Sequence, residues 1–140
     1  LIGFADSGAH IRNMAFYNFG VRLLKLVRDA ELRGQPVMPI ETAIWRLTGE
    51  LGEWFDIDAG RLYEGARADL VIIDPSALDE SLASYQEAPM DAFGGLQRMV
   101  NRGAAVEAVL INGRIAFQQG EFASDLGQAR GYGQFLRSNA

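Results

Sequence analysis

The sequence has no cysteine. That removes disulfides, thiolate metal ligands and a cysteine nucleophile from consideration, and it is compatible with a reducing compartment. It has a single histidine, His10, too few for a metal site built from several imidazoles. The H-E-x-x-H and G-x-S-x-G patterns are missing, as is a glycine-rich phosphate loop opening a helix. Gly52, Gly60 and Gly65 are too widely spaced for a dinucleotide fingerprint. No apolar run approaches the roughly 20 residues of a membrane span, and no signal peptide is visible. The expectation is no membrane association and a cytoplasmic location. A basic surplus is also lacking: 13 Lys and Arg against 18 Asp and Glu give a net charge of −5. Basic residues such as Arg22, Lys25, Arg28 and Arg33 are interleaved with acids, which argues against nucleic acid as a partner.

What remains is a chain of 140 residues, 49% hydrophobic and 22% charged, the proportions of a globular domain large enough to bury a core. Residues 2 to 6 read as the end of a strand. From Arg12 to Arg33, apolar residues recur at mostly helical spacing, and Gly20 divides the run so that Val21 to Arg33 is the expected helix. Gly34 stands where a helix C′ glycine belongs, with Pro36 two residues on. Pro39 suits the first turn of a second helix. Ile40, Ala43, Ile44, Leu47 and Leu51 form its apolar stripe, and Thr48 is placed to cap a short helix through Trp54 and Phe55. Trp45, Trp54 and Phe55 are expected to join a core rather than a stacking platform.

After Asp58 the pattern changes. Leu70 to Ile73 is apolar at every position, as in a strand buried on both faces, and Pro75 stops it. Asp69 and Asp74 bracket it as solvated ends. Asn112-Gly113 between V-E-A-V-L-I and R-I-A-F-Q-Q signals a two-residue hairpin, because both turn positions require positive φ. Ser76 to Arg102 reads as loops with a short helix near Leu78 to Tyr85, and the chain from Ala123 onward as a loose tail.

Chemistry concentrates at the start, in G-F-A-D-S-G-A-H. Asp6 ends an apolar strand, and a carboxylate at that position serves α/β enzymes as acid, base or metal ligand. Strand-end acids more often cap the following turn through an Asx-type bond, so both readings stand. His10 follows four residues later and would share a face with Asp6 on a helical turn, although a lone histidine is more often a hydrogen-bonded structural residue. Arg12 and Arg98 are possible carboxylate binders whose ordinary place is a solvated face.

Taken in order, G-F-A-D-S-G-A-H, P-I-E-T-A-I-W-R-L-T-G-E-L-G-E-W-F-D-I, A-G-R-L-Y-E-G-A-R-A-D-L-V-I-I-D-P and V-L-I-N-G-R-I-A-F resemble the C-terminal part of the amidohydrolases, in particular the N-acyl-D-amino-acid deacylases. The resemblance implies an α+β piece: the end of a (β/α)8 metal-dependent hydrolase barrel, then part of a small β-sandwich. Residues 1–57 would be the last barrel strand and helices, 58–122 the β-rich segment and 123–140 the tail. It implies that Asp6 activates a metal-bound water and passes the proton to the leaving nitrogen, and that Asp6 could touch the metal in the intact parent. Ser7, Gly8 and His10 match the loop beyond it and are candidates for substrate contact. Zinc or another divalent ion would belong to the intact parent, with an N-acyl amino acid as substrate. This chain has no complete metal site of its own, since an activated hydroxide needs about three protein ligands. Alone it is expected to be inactive and to bind no metal tightly.

On that reading, residues 1 to 10 would be displaced, disordered or paired with another chain, and the piece would self-associate or pair with the missing N-terminal part. The alternatives are a noncatalytic self-associating domain or a module that binds a small acid.

Overall fold

The computed structural model describes residues 17–91, 94–101 and 103–138. The chain divides into two compact units. One is built from residues up to Ile40 together with Pro75–Ala105, the other from Glu41–Asp74 together with Val106 onward. The fold is α+β, and every strand pairing among the described residues is antiparallel. No helix among these residues is long and apolar enough to cross a membrane.

The first unit opens with helix α1, Phe19–Leu32, which buries Leu24, Val27 and Ala30. The i, i+3, i+6 spacing of these three keeps them on one stripe. Gly20 lies inside the helix rather than interrupting it: its cost to a helix is only about 1 kcal/mol, and it falls in the first turn. The expected glycine stop holds. The N–H of Gly34 donates to Glu31 O and that of Gln35 to Ala30 O, both at 2.9 Å, with Gly34 at φ +69°. This is the paired-bond ending that a left-handed C′ residue allows.

The segment expected to be loops and a short helix is more ordered than that. It makes two 3-10 turns, Pro75–Ala77 and Glu80–Ala83, and Leu82 is buried in the second. The second turn is started by Asp79, whose side chain accepts from the N–H of Ser81 at 2.8 Å. A hairpin then follows from strands β2, Gln86–Met90, and β3, Leu96–Val100, with Ala88 opposite Arg98. Pro89 inside β2, which argues against a strand in a central position, is acceptable in a two-stranded sheet where each strand has an edge. Arg98 is buried, at 9% exposure, rather than solvated, and its guanidinium donates to Gln97 O at 2.8 Å.

In the second unit, the helix expected to begin near Pro39 is α2, Ile40–Leu47, and the further short helix expected after Thr48 is α3, Gly49–Trp54, which takes in Leu51. The break falls at Thr48 (φ −131°, ψ −86°). Thr48 holds the N-cap position of α3 without capping it. Its hydroxyl donates backward to Ile44 O at 2.8 Å, the local bond by which threonine competes with helix geometry. Trp45, Trp54 and Phe55 are exposed, contrary to the core expected for them. The reason is that α3 buries its glycines, Gly49 and Gly52. The returning chain crosses over them at Ala59 and Gly60, with Ile57 N–H donating to Gly52 O at 2.9 Å, while the Trp45 indole lies against Gly49.

The sheet of this unit runs in the order β1-β4-β5-β6. Its strands are β1, Leu70–Ile73; β4, Val106–Ile111; β5, Arg114–Gln118; and β6, Glu121–Phe122. β4 and β5 meet at the expected turn, with Ile111 opposite Arg114 and φ of +51° and +78° at Asn112 and Gly113. β1 forms where the sequence places it but is not buried on both faces. Val71 is 57% exposed and Ile72 48%, because β1 is the outermost strand of the sheet and its two middle side chains point to opposite faces. Within the tail, Tyr132 is buried.

Candidate functional site

Asp6, Ser7, Gly8, His10 and Arg12 lie outside the described residues, as does the expectation for residues 1 to 10. Among the polar clusters of the described residues, one in each unit has both partners of a hydrogen-bonded pair shifted in pKa.

In the first unit, Asn18, Lys25 and Arg28 recur at spacings of seven and three, which puts them on one face of α1 and its entry turn. All three reach the segment that returns after Pro75. Asn18 Nδ2 donates to Leu82 O at 2.8 Å, and Arg28 to the carbonyls of Pro75 and Leu78, the latter at 3.2 Å. Lys25 Nζ lies 2.6 Å from Asp29 Oδ2 and 2.7 Å from Glu80 Oε1. This cluster forms part of the lining of an open cleft of about 470 Å³, together with Phe19, Leu26, Leu82, Arg22 and Arg33.

The hydrogen bonds from Lys25 to Asp29 and Glu80 hold its ammonium pKa above the usual lysine value. The bond from Lys25, aided by Arg28 and Arg33, holds the Asp29 carboxyl below the usual carboxylate range. Both partners are therefore fixed in their charged forms at neutral pH. Such a lysine is a poor proton acceptor and such a carboxylate a poor proton donor. The cluster fastens α1 to the return segment; it is not equipped for acid–base chemistry.

In the second unit, Asp125 accepts from Tyr132 Oη at 2.5 Å and from Arg114 at 2.9 Å, and the Arg114 guanidinium lies 4.1 Å from the centre of the Tyr132 ring. The bond to Tyr132, with help from Arg114, lowers the Asp125 pKa. The same bond and burial raise that of the Tyr132 hydroxyl, which stays protonated and is no nucleophile at neutral pH. Among the described residues no three His, Asp or Glu side chains converge as a metal ion would require.

The sequence alone does not bring either cluster together as a unit. The i, i+4 spacing of Lys25 and Asp29 carried a signal for half of the first. Nothing in the seven-residue separation of Asp125 and Tyr132 announces the second.

No family model matches the chain, and no solved structure matches it. Over 139 residues it is 55% identical to uncharacterised proteins of Mycobacterium tuberculosis and Mycobacterium bovis, a match that takes in 98% of this chain and 22% of each relative. The chain thus spans less than a quarter of the length of these curated relatives. Over 87 residues it is 28% identical to a D-aminoacylase of Alcaligenes xylosoxydans xylosoxydans, covering 61% of this chain and 16% of that protein. Part of the chain is therefore similar to a D-aminoacylase.

Proposed function

We propose that this chain is the C-terminal part of a metal-dependent amidohydrolase, and that the intact protein hydrolyses the amide bond of N-acyl-D-amino acids or related amides in the cytoplasm. The observation that carries the reading is the similarity to a D-aminoacylase over 87 residues. The motif series from G-F-A-D-S-G-A-H to V-L-I-N-G-R-I-A-F supports it. On this reading α1, α2 and α3 belong to the end of a β/α barrel, and the antiparallel strands of the second unit to a small sandwich. The exposed Val71 and Ile72 suit a strand that has further protein to pack on.

In the intact protein a divalent metal such as zinc would activate the attacking water. The described residues do not form a ligand set for it, so its ligands would come mainly from the longer polypeptide. Asp6 is the residue assigned to take the water's proton and deliver it to the leaving nitrogen. Ser7, Gly8 and His10 would line the loop beside the substrate.

The test is an assay of the full-length protein on N-acetyl-D-amino acids and their L-enantiomers, with and without chelator, beside the Asp6→Asn variant. Loss of a general acid–base group should lower kcat by roughly 10²- to 10⁴-fold while leaving the fold intact by circular dichroism. A full-length protein that cleaves none of these amides with zinc, manganese or cobalt supplied would end the proposal.

A further inference from the structure

We propose that residues 123–138 form a strap that closes on the β4–β5 hairpin through Asp125 and opens as a unit while the four-stranded sheet stays folded.

The strap starts from the sheet, where the N–H of Ala123 donates to Ala116 O at 3.0 Å. It then doubles back, because Asp125 O accepts from the N–H groups of Gln128 at 3.0 Å and Ala129 at 2.8 Å. The return stretch delivers Tyr132, only 8% exposed, to the Asp125 carboxylate. Arg114 of β5 sits beneath both. It donates to Asp125 Oδ2 at 2.9 Å and to Arg130 O at 3.3 Å, and its guanidinium faces the Tyr132 ring. Four contacts thus converge on one carboxylate and one guanidinium. A second tether joins Gln134, its amide oxygen oriented to accept, to the Arg67 guanidinium.

Apart from Tyr132, no residue of the strap is fully buried, and Ala123, Leu126, Ala129 and Leu136 are half-buried. Phe135 is 85% exposed, and among the described residues no strand pairing extends beyond Phe122. A segment held by a few polar contacts, one buried ring and half-buried small apolar patches, beside a sheet held by antiparallel backbone ladders with an irregularity in β1–β4 and another in β4–β5, has a lower opening free energy than the sheet. Both the strap and its anchor are residues of this chain, so the inference does not depend on the hydrolase reading.

Arg130 is exposed and is followed by Gly131, which places a tryptic bond inside the strap. The experiment is timed trypsin digestion of the full chain and of Asp125→Asn, followed by mass spectrometry, with amide hydrogen exchange of β4 and β5 measured in parallel. Asp125→Asn should be cut after Arg130 roughly tenfold faster, with exchange at Leu110 and Phe117 unchanged. Tyr132→Phe, which keeps the ring and loses the hydroxyl, should fall between parent and Asp125→Asn, and it serves as the test if Asp125→Asn does not fold. Equal cutting rates in parent and variants would overturn the proposal. So would faster exchange of the sheet in step with the cutting, since strap and sheet would then open together.

Discussion

Asp69 Oδ1 accepts a hydrogen bond from the backbone N–H of Asn112 at 2.6 Å, across 43 positions of sequence. In the same corner the N–H of Gly113 donates to Ala68 O at 2.8 Å. The two residues before β1 therefore hold the tip of the β4–β5 turn, and the register of three strands is fixed at one place.

Replacing Asp69 by alanine removes the acceptor while leaving an exposed N–H that water can serve. The expected loss is about 1 kcal/mol, that of an ordinary hydrogen bond. Urea denaturation of Asp69→Ala and Asp69→Asn checks it, and the asparagine, which keeps an oxygen, should recover most of the midpoint.

The turn itself is more demanding. Gly113 sits at φ +78°, where a β-branched side chain meets the neighbouring carbonyl. Gly113→Val should cost about 1–2 kcal/mol from backbone sterics, read as a lowered thermal midpoint. Gly113→Asn should be tolerated far better, since asparagine visits this region readily.

Thr48 gives a sharper discrimination. A capping threonine costs about 1 kcal/mol when its oxygen is lost. The Thr48 hydroxyl instead bonds backward to Ile44 O, an interaction that slightly disfavours a helix. Thr48→Val should be neutral or faintly stabilising in thermal unfolding, and a full-size loss would mean that the hydroxyl caps α3 after all.

The Lys25 cluster sets two limits in pH. Lys25 has a raised pKa, so its contribution to stability is complete below the ordinary lysine value and fades as pH climbs through the raised one. Asp29 has a lowered pKa, so its contribution is complete above the ordinary carboxylate value and fades as pH falls through the lowered one. Between about pH 4 and about pH 10 the cluster should be insensitive to pH. Thermal midpoints across this range, compared between the parent and Lys25→Met, should differ by a constant offset that shrinks only at the two extremes.

How much was readable in advance depended on how local the cause was. The stop at Gly34, the Asn112-Gly113 turn and the apolar run at Leu70 to Ile73 each rest on the φ preference or branching of a few adjacent residues, and each appears where the sequence places it. Thr48 stands where the sequence places a cap but bonds backward, and the 3-10 turns after Pro75 differ from the expected loops, because side-chain bonds to nearby backbone compete with the periodic pattern. The β2–β3 hairpin was hidden by Pro89, whose exclusion from strands weakens at an edge. The exposure of Trp54 and Phe55 is not legible because periodicity identifies an apolar face without saying that glycines occupy the contact. Of the candidate site, Asp6 and His10 rest on sequence alone, while the Lys25 and Asp125 clusters needed tertiary structure to bring their members together.

Val71 and Ile72 are about half exposed on a four-residue edge strand with no charge of its own, an edge on which another strand can pair. Asp69 and Asp74 close it off at both ends and Pro75 removes the next donor, an arrangement of gatekeepers that repels a second ribbon laid alongside in register. Neutralising these two carboxylates should therefore raise the tendency of this strand edge to pair with another strand at high concentration.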